Sequence, residues 1–591
     1  MIMYQRLIIF CAFCAIVVGL DVAQAIEKQG PCEQITAACK DAGFVQGGAR
    51  TGNGIMVDCI VPIMQGKAQP RKAGKPLPQV DPQLVEACRT RNPSFGQAKI
   101  PLSDAGDQSF PAIPPPAAAM ESKPLHKTKG SANHPNVVFI LTDDLSLNLV
   151  QFMPHVLKMQ KEGVTFSNYF VTDSLCCPSR SSIFTGRFPH DTGVFKNTGN
   201  DGGYLVFRNR GLEQVTFATA LSADEYRTAM LGKYLNGYQP AVHPAAPGWT
   251  SWAVAGNGYP GFNYNMRQDS KVVRYGHEPT DYLTDVLSTL AVRFIKESAD
   301  APFLIEIATF APHAPYTPAP RDADAFPGLR APRTLAFNAA PDANAPKWLR
   351  EIPPLTDAEM TGIDRDFRKR AQSVLAVDKM IGELQAAVAA IGQDKNTYFI
   401  FSSDNGYHMG EHRLRPGKMT AFDSDIHVPL IFMGPGVAAG RVIDEVVENI
   451  DLCPTFTALA GAVDPVNVDG HSLVPLLNGQ EFAGWRTAAL IEHHGPLRNR
   501  ADPDAPAFRS GNPTTYEAIR TRTSIYVEYA SGEKEYHDLV VDPYELRNTF
   551  SSLPGEEKTL LHAVLDSIKN CHDAKSCWAA GHATLNTTRN R

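Results

Sequence analysis

After Asn136, the segment Val137-Val138-Phe139-Ile140-Leu141 runs without a polar interruption and stops at Thr142-Asp143-Asp144. A strand with one wet face alternates apolar and polar residues, so an unbroken run marks a strand buried on both faces. The pattern returns in three places. Thr397-Tyr398-Phe399-Ile400-Phe401-Ser402-Ser403 stops at Asp404-Asn405-Gly406, Phe303-Leu304-Ile305-Glu306-Ile307-Ala308 leads to Pro312-His313, and Val428-Pro429-Leu430-Ile431-Phe432-Met433 is the fourth run. Between them lie helical patterns, the clearest carrying Phe367, Val374, Ile381, Leu384 and Val388 at helical spacing. Buried strands alternating with helices predict an α/β class: a large, mostly parallel central sheet with helices on both faces. In such sheets ligands bind beyond the carboxyl ends of the strands, where the polar clusters fall.

Two of these strands end in paired oxygen donors. If the strands point the same way, Asp143, Asp144, Asp404 and Asn405 converge. Three carboxylates and one amide oxygen form a hard ligand set, suited to Ca²⁺ or Mg²⁺ rather than to a soft metal. One such pair alone usually caps a helix or closes a turn. Two pairs in matching places point to a metal site.

The chain has 591 residues, 43% of them hydrophobic, enough for one large core and a smaller module. A net charge of -6 lacks the basic footprint of a nucleic-acid binder. Met1 to Arg6 carries one positive charge, Leu7 to Leu20 is apolar, and Ala23-Gln24-Ala25 offers a small-x-small cleavage site. That apolar run is too short for a comfortable membrane span. Residues 1–25 therefore read as a secretory signal peptide, with the mature chain exported (periplasmic or secreted) and no stable membrane span following. Residues 26–98 hold Cys32, Cys39, Cys59 and Cys88, an even set in an exported segment. They predict a small disulfide-stapled module with two bridges in any of three pairings. Residues 99–135, rich in Pro, Ala and Lys, predict a semi-stiff linker. The large domain spans 136–480. A smaller C-terminal α+β subdomain and tail spans 481–591, with short strands at 524–529 and 535–539 and a helix near 558–568. Cys571 and Cys577 are spaced for a local disulfide, and Asn586-Thr587-Thr588 is a glycosylation sequon by pattern.

The segment most telling of function is Leu175-Cys176-Cys177-Pro178-Ser179-Arg180, which continues to Thr185-Gly186-Arg187. Two cysteines alone are two buried thiols or one partner of a disulfide, and a lone Arg is a surface ion pair. With C-x-P-S-R followed by T-G-R, the chain resembles the type I sulfatases, the formylglycine-dependent members of the alkaline phosphatase superfamily. The resemblance runs from Asn136 to about Asn548. Gly232-Lys233-Tyr234-Leu235-Asn236 is similar to the family's second lysine motif, and Ala311-Pro312-His313-Ala314-Pro315 to its histidine motif. Asp404-Asn405-Gly406-Tyr407-His408 matches the distal metal pair, Gly417-Lys418 the last lysine, and Ile450 to Thr455 and Asp542-Pro543 the C-terminal markers. Within the family, C-C-P-S-R, G-K-Y-L-N and S-D-N-G-Y-H look most like the N-acetylglucosamine-6-sulfatases. There is one departure: Leu235 stands where many arylsulfatases have histidine, with Asn236 as the candidate replacement.

The resemblance implies that Cys176 is oxidised to formylglycine by a separate formylglycine-generating enzyme, acting on the unfolded chain before or during export. It implies a metal site of Asp143, Asp144, Asp404, Asn405 and the converted Cys176, for Ca²⁺ ahead of Mg²⁺. The hydrated aldehyde is a geminal diol. One hydroxyl, held on the metal, attacks sulfur, and the other then loses its proton, re-forms C=O and expels sulfate. By the same resemblance Arg180 orients the hydrate, Lys233 and Lys418 contact the sulfate oxygens, and His313 lies near the leaving oxygen as donor or general acid. The expected reaction is sulfuric ester hydrolysis on a sulfated sugar or aryl sulfate. A phosphonate monoester or phosphodiester hydrolase would share these motifs, and an exported glycan-binding protein with a dead site is the reading from another class. His190, His408 and His412 are left as structural or substrate-rim residues, and Cys177 and Cys453 are expected buried and unpaired.

Overall fold

A computed structural model describes residues 30–45, 54–65, 69, 75–91, 134–480, 484–499, 502 and 504–582. The signal peptide at 1–25, the linker up to residue 133 and the sequon at 586–588 lie outside the described residues. The chain divides into two units, Met1–Lys123 and Pro124–Arg591.

In the first unit, α1 (Pro31–Asp41) and α2 (Pro82–Arg91) are tied by the disulfide Cys32–Cys88, and Cys39 is bonded to Cys59. This is one of the three pairings the sequence allowed. Ile35, Phe44, Ile60, Met64 and Val85 pack around the bridges. So small a core needs staples, and bridges with sequence separations of 56 and 20 each contribute about 3–4 kcal/mol by restricting the unfolded chain.

The second unit is built on a ten-stranded sheet. Its strands are β1 (Asn136–Thr142), β2 (Val164–Phe170), β3 (Arg227–Gly232), β4 (Ser251–Ala255), β5 (Asn265–Gln268), β6 (Lys271–Arg274), β7 (Phe303–Ala308), β8 (Thr397–Ser403), β9 (Leu430–Met433) and β10 (Arg441–Glu448). The spatial order is β10-β2-β9-β8-β1-β7-β3-β4-β5-β6. From β8 through β1, β7 and β3 to β4 every pairing is parallel. Val137, Phe139 and Leu141 of β1 enter one core, and Val138 and Ile140 enter the other. Successive side chains point to opposite faces, and both faces are covered, so neither tolerates a polar row.

Cys177, Ile183 and Phe184 of α3 (Cys176–Thr185) pack on the first face. On the second lie α4 (Leu283–Glu297) and the long α5 (Asp357–Ala390), which buries Phe367, Val374, Ile381, Leu384 and Val388 there. Thr356 starts α5 with a capping box closed by Glu359. The fourth apolar run departs from expectation. Its strand begins only at Leu430, and it runs antiparallel to both β8 and β2. Pro429 has no N–H to give to a ladder, and an apolar run encodes burial but not direction.

A second sheet of β11 (Ala488–His493), β12 (Tyr516–Thr521), β13 (Ser524–Tyr529) and β14 (Lys534–Asp538) is antiparallel throughout. One face packs on α6 (Gly555–Lys569) through Leu561, Val564, Leu565 and Ile568, and the other joins the first core through Ala489, Ile491, Ala518 and Val527. This is the smaller α+β portion, and its 480/481 boundary adjoins residues 481–483, outside the described residues. Cys571 is bonded to Cys577, while Cys176, Cys177 and Cys453 are buried free thiols. Among the described residues no helix is long and apolar enough to cross a membrane.

Candidate active site

Strands β1 and β8 are neighbours, parallel, and in register from Asn136 opposite Thr397 to Thr142 opposite Ser403. Asp143, Asp144, Asp404 and Asn405 therefore leave the sheet together at its carboxyl edge. The Asp144 N–H donates to Asp404 Oδ1 at 3.1 Å, and Asn405 Nδ2 donates to Asp144 Oδ1 at 2.7 Å. The chain turns sharply here: Asp144 has φ +63°, and Met419, next to Lys418, has φ +78°. Non-glycine residues held in the left-handed region concentrate at functional sites.

Strand β7 leads to His313, and β3 leads through Gly232 to Lys233. Gly232 has φ +99°, and a Cβ there would lie 2.0 Å from the Ala308 carbonyl oxygen. Only glycine lets β3 end this close to β7 and send Lys233 into the crevice. Helix α3 begins at Cys176 and is buried along its whole length. Its Ser179 hydroxyl donates to the Asp404 carbonyl. Arg180 Nε donates to Asp404 Oδ2 at 2.8 Å and Nη1 to the Lys233 carbonyl at 2.9 Å. Arg180 thus ties α3 to the ends of β8 and β3. Burial opposes its charge, but Asp404 and Asp143 outweigh that and hold the guanidinium above its ordinary range.

The remaining groups converge on Cys176. Its Sγ lies 3.3 Å from Asp143 Oδ1 and 2.9 Å from Lys418 Nζ. Lys233 Nζ donates to Asp143 Oδ2 at 2.6 Å, and Lys418 Nζ to Asp144 Oδ1 at 2.6 Å. Burial works against both ammonium groups, yet the adjoining carboxylates keep both well above the usual lysine range. For the Cys176 thiol, burial and then Asp143 and Asp504 push upward, and the two lysines only partly offset them. His313 places Nδ1 2.7 Å from the Ala314 carbonyl, so that nitrogen carries the proton and Nε2 faces the crevice. Burial opposes the imidazolium, but Asp144, Asp504 and Asp143 raise it above its ordinary value.

Asp143, Asp144, Cys176 and His313 each offer a ligand atom, all within 4.8 Å of one another. Beside them Asn405 Oδ1 is buried and has no hydrogen-bond partner. A buried carbonyl oxygen is normally satisfied, so an orphan one among carboxylates fits a cation ligand. Asp143, Asp144 and Asn405 offer hard oxygen donors, while Cys176 and His313 add a sulfur and a nitrogen to the group.

The family model described as Sulfatase matches residues 135–462. The chain belongs to the sulfatase family. A model described as N-sulphoglucosamine sulphohydrolase, C-terminal, matches residues 410–570. This sulfatase is 33% identical over 477 residues to the N-acetylglucosamine-6-sulfatase of Capra hircus, covering 75% of this chain and 84% of that one. A solved structure described as in complex with its substrate D-glucosamine-2-N,6-O-disulfate superposes with a TM-score of 0.62 at 22% identity, covering 76% of this chain and 100% of that one. The phosphonate monoester hydrolase of Agrobacterium radiobacter gives 0.55 at 21%, covering 74% and 95%. At these identities the two structures establish a shared fold.

The sulfatase also contains a group that no sequence motif announced. Asp504 is buried among the catalytic candidates, with Oδ1 2.6 Å from His313 Nε2, 2.6 Å from Lys418 Nζ and 3.7 Å from Cys176 Sγ. Its Oδ2 accepts from Asn197 Nδ2 at 2.7 Å and from Asn236 Nδ2 at 3.0 Å. Against burial, Lys418 and His313 hold this carboxyl well below the usual range. Asn236 thus reaches the site, while Leu235 packs into the first core. Tyr259 covers the same side, its ring 4.6 Å from that of His313 and 5.0 Å from Lys233 Nζ. Arg370, invisible within a long helix, donates from Nη2 to the Asp144 carbonyl and braces that turn. The three unassigned histidines lie outside this cluster. His408 pairs with Asp425 at 2.9 Å, His412 stacks on Phe422 with centroids 4.0 Å apart, and His190 pairs with Glu492 at 2.9 Å.

Proposed function

We propose that this sulfatase hydrolyses a sulfate ester on an amino sugar, of the N-acetylglucosamine-6-sulfate type, and releases inorganic sulfate. The observation that carries the reading is the buried set of Asp143, Lys418 and His313 around Cys176, in a chain one-third identical to an N-acetylglucosamine-6-sulfatase over most of its length. Converted to an aldehyde by a formylglycine-generating enzyme, position 176 supplies a geminal diol whose one hydroxyl attacks sulfur and whose other re-forms the carbonyl. A divalent cation, Ca²⁺ before Mg²⁺, held by Asp143, Asp144, Asp404 and Asn405 would supply positive charge beside that nucleophile.

The protein's own groups do the rest. Arg180 fixes Asp404 and the end of β3, so the nucleophile and Lys233 keep one geometry. Lys418 and Lys233 bind sulfate oxygens from preset positions in a water-poor pocket, where such donors act most strongly on developing charge. His313 gives the Nε2 proton to the departing sugar oxygen, its ring aimed by the Ala314 carbonyl. Lys418 and His313 hold the Asp504 carboxylate in the free protein, and a sulfate ester takes its place. Export by the leader at 1–25 delivers the chain to an oxidising compartment, where three disulfides persist. The layout is leader, stapled module at 26–98, linker at 99–135, catalytic domain at 136–480 and C-terminal subdomain at 481–591.

Peptide mass spectrometry of the segment containing Cys176, from the native host, tests the nucleophile. Loss of S and two H with gain of one O lowers the mass by about 18 Da. Sulfate release is then measured on 6-sulfated N-acetylglucosamine, an aryl sulfate and an aryl phosphonate. The expected result is conversion together with fastest turnover of the sugar sulfate. An unmodified thiol rejects the nucleophile, and faster phosphonate turnover rejects the substrate class.

A further inference from the structure

Strand β7 carries one residue that its surroundings do not explain. Glu306 lies in mid-strand, in register with Phe139 of β1 and Met230 of β3. Strand alternation puts it with Leu304 and Ala308 on the face of the first core, between Phe139 and Met230, the face on which Cys177 and Ile183 of α3 also pack. It is fully buried, and neither carboxyl oxygen has a hydrogen-bond partner. Any apolar residue of similar length would suit this position better, because a buried polar group without a partner costs stability. Positions that break the local rule in this way cluster where function demands it.

The charged group that acts on Glu306 is Arg180, and Glu306 acts on Arg180 in turn. Arg180 spends Nε on Asp404 and Nη1 on the Lys233 carbonyl, while its buried Nη2, 4.0 Å from Asp143 Oδ1, makes no hydrogen bond. The same buried region therefore holds an unused donor on the arginine and two unused acceptors on the glutamate. Burial pushes the Glu306 carboxyl up to about 8 against the pull of Arg180, so near neutral pH it is chiefly an uncharged acid with a carbonyl oxygen to offer.

We propose that Glu306 is a positioning residue for Arg180, its carboxyl oxygen reaching Nη2 through one buried water and fixing the plane of the guanidinium. With Asp404 and the Lys233 carbonyl, this gives the arginine a third anchor, and three anchors leave a planar group no rotation. Glu306 acts through Arg180 and touches no reacting atom. The inference rests on the sulfatase reading only in giving Arg180 a catalytic task.

The test uses the full, matured chain and compares Glu306→Met with Glu306→Gln. Met keeps the length and removes the acceptor. Gln keeps a neutral carbonyl acceptor. Expected for Glu306→Met are a kcat about tenfold lower, a KM within about twofold, and a Tm equal to or above that of the parent, since an unsatisfied buried group is gone. Glu306→Gln should restore most of the kcat. In crystals of Glu306→Met, Arg180 should lose its contact to Asp404 or to the Lys233 carbonyl while the sheet is unchanged. An unchanged kcat, a fall in Tm parallel to the fall in kcat, or an unmoved Arg180 overturns the proposal. Should the matured parent release no sulfate from any ester, the proposed function fails, and the orientation of Arg180 in the Glu306→Met crystal alone decides this inference.

Discussion

Asp504 carries the charge balance of the site. Asp143, Asp144, Asp404 and Asp504 face Arg180, Lys233, Lys418 and His313, so four acidic groups meet four cationic ones before any ion or substrate enters. Exchanging the Asp504 carboxylate for a sulfate ester preserves that balance, and a divalent ion then leaves the pocket positive overall. Asp504→Asn should free Lys418 and His313 of a competing anion. Inhibition by inorganic sulfate should tighten about tenfold, the worth of one charge-assisted hydrogen bond, and KM should fall with it. Unchanged sulfate inhibition with kcat abolished would instead put Asp504 in the chemistry. The site was only partly legible from sequence for a physical reason. Asp143, Asp404 and Arg180 sit in motifs because strand ends and a helix start fix them locally, and Lys418 follows the isolated bridge between His408 and Gly417. Asp504, Asn197 and Arg370 arrive from elsewhere in the chain, and their roles rest on contacts such as Asn197 to Asp504, 307 residues apart, and Arg370 to Asp144, 226 apart.

Among the elements, the end of β3 is the most constrained. A methyl group on Gly232 would meet the Ala308 carbonyl oxygen at 2.0 Å, and its φ of +99° disfavours any side chain. Gly232→Ala should cost roughly 3 kcal/mol or more in urea unfolding, because both space and backbone oppose it. Activity should fall further than stability alone accounts for, since Lys233 is the next residue. A urea midpoint equal to that of the parent would refute the close-approach argument. Strands β1, β7 and β8 could be read from sequence because two buried faces leave no room for polar residues. The direction of β9 could not, since Leu430 to Met433 is equally apolar whichever way it runs. Glu306 lay in full view within an apolar run, but its isolation became visible only once the run was placed between β1 and β3.

Over the whole molecule, His190 links the T-G-R region to the C-terminal subdomain. From the short helix Pro189–Thr192 its Nδ1 lies 2.9 Å from Glu492 Oε2 on β11, and its Nε2 lies 2.8 Å from the Cys571 carbonyl. Asp191 lies 3.8 Å from that Nε2, and His572 adjoins it across the disulfide loop. Burial opposes the charge, but Glu492 holds His190 up to about 9. Its folded value exceeds the ordinary 6.5, so the stabilisation is complete below about pH 6.5 and is lost as pH rises through about 9. Nearby Asp469, raised from the ordinary 3.8 to about 8 by burial and by Asp191, adds a loss that accrues between those values and is complete near pH 8. Between pH 7 and 9.5 the Tm of the parent should drop by roughly 2–4 °C more than that of Glu492→Gln. Equal slopes in the two proteins would show that the pair does not carry the effect.

The strand order has a consequence in time. Strand β1 finds its partners in β7 and β8, and β2 finds its partners in β9 and β10, so no sheet partner of these two strands precedes residue 303. Cys176 lies between these early strands and their late partners, and once they close it is fully enclosed. Synthesis at about 5–20 residues per second puts roughly 130 residues, or some 6–25 s, between the emergence of Cys176 and the first strand able to pair with β1. The wiring of the sheet sets a delay: the position that the proposed function needs chemically converted is made early and sealed late.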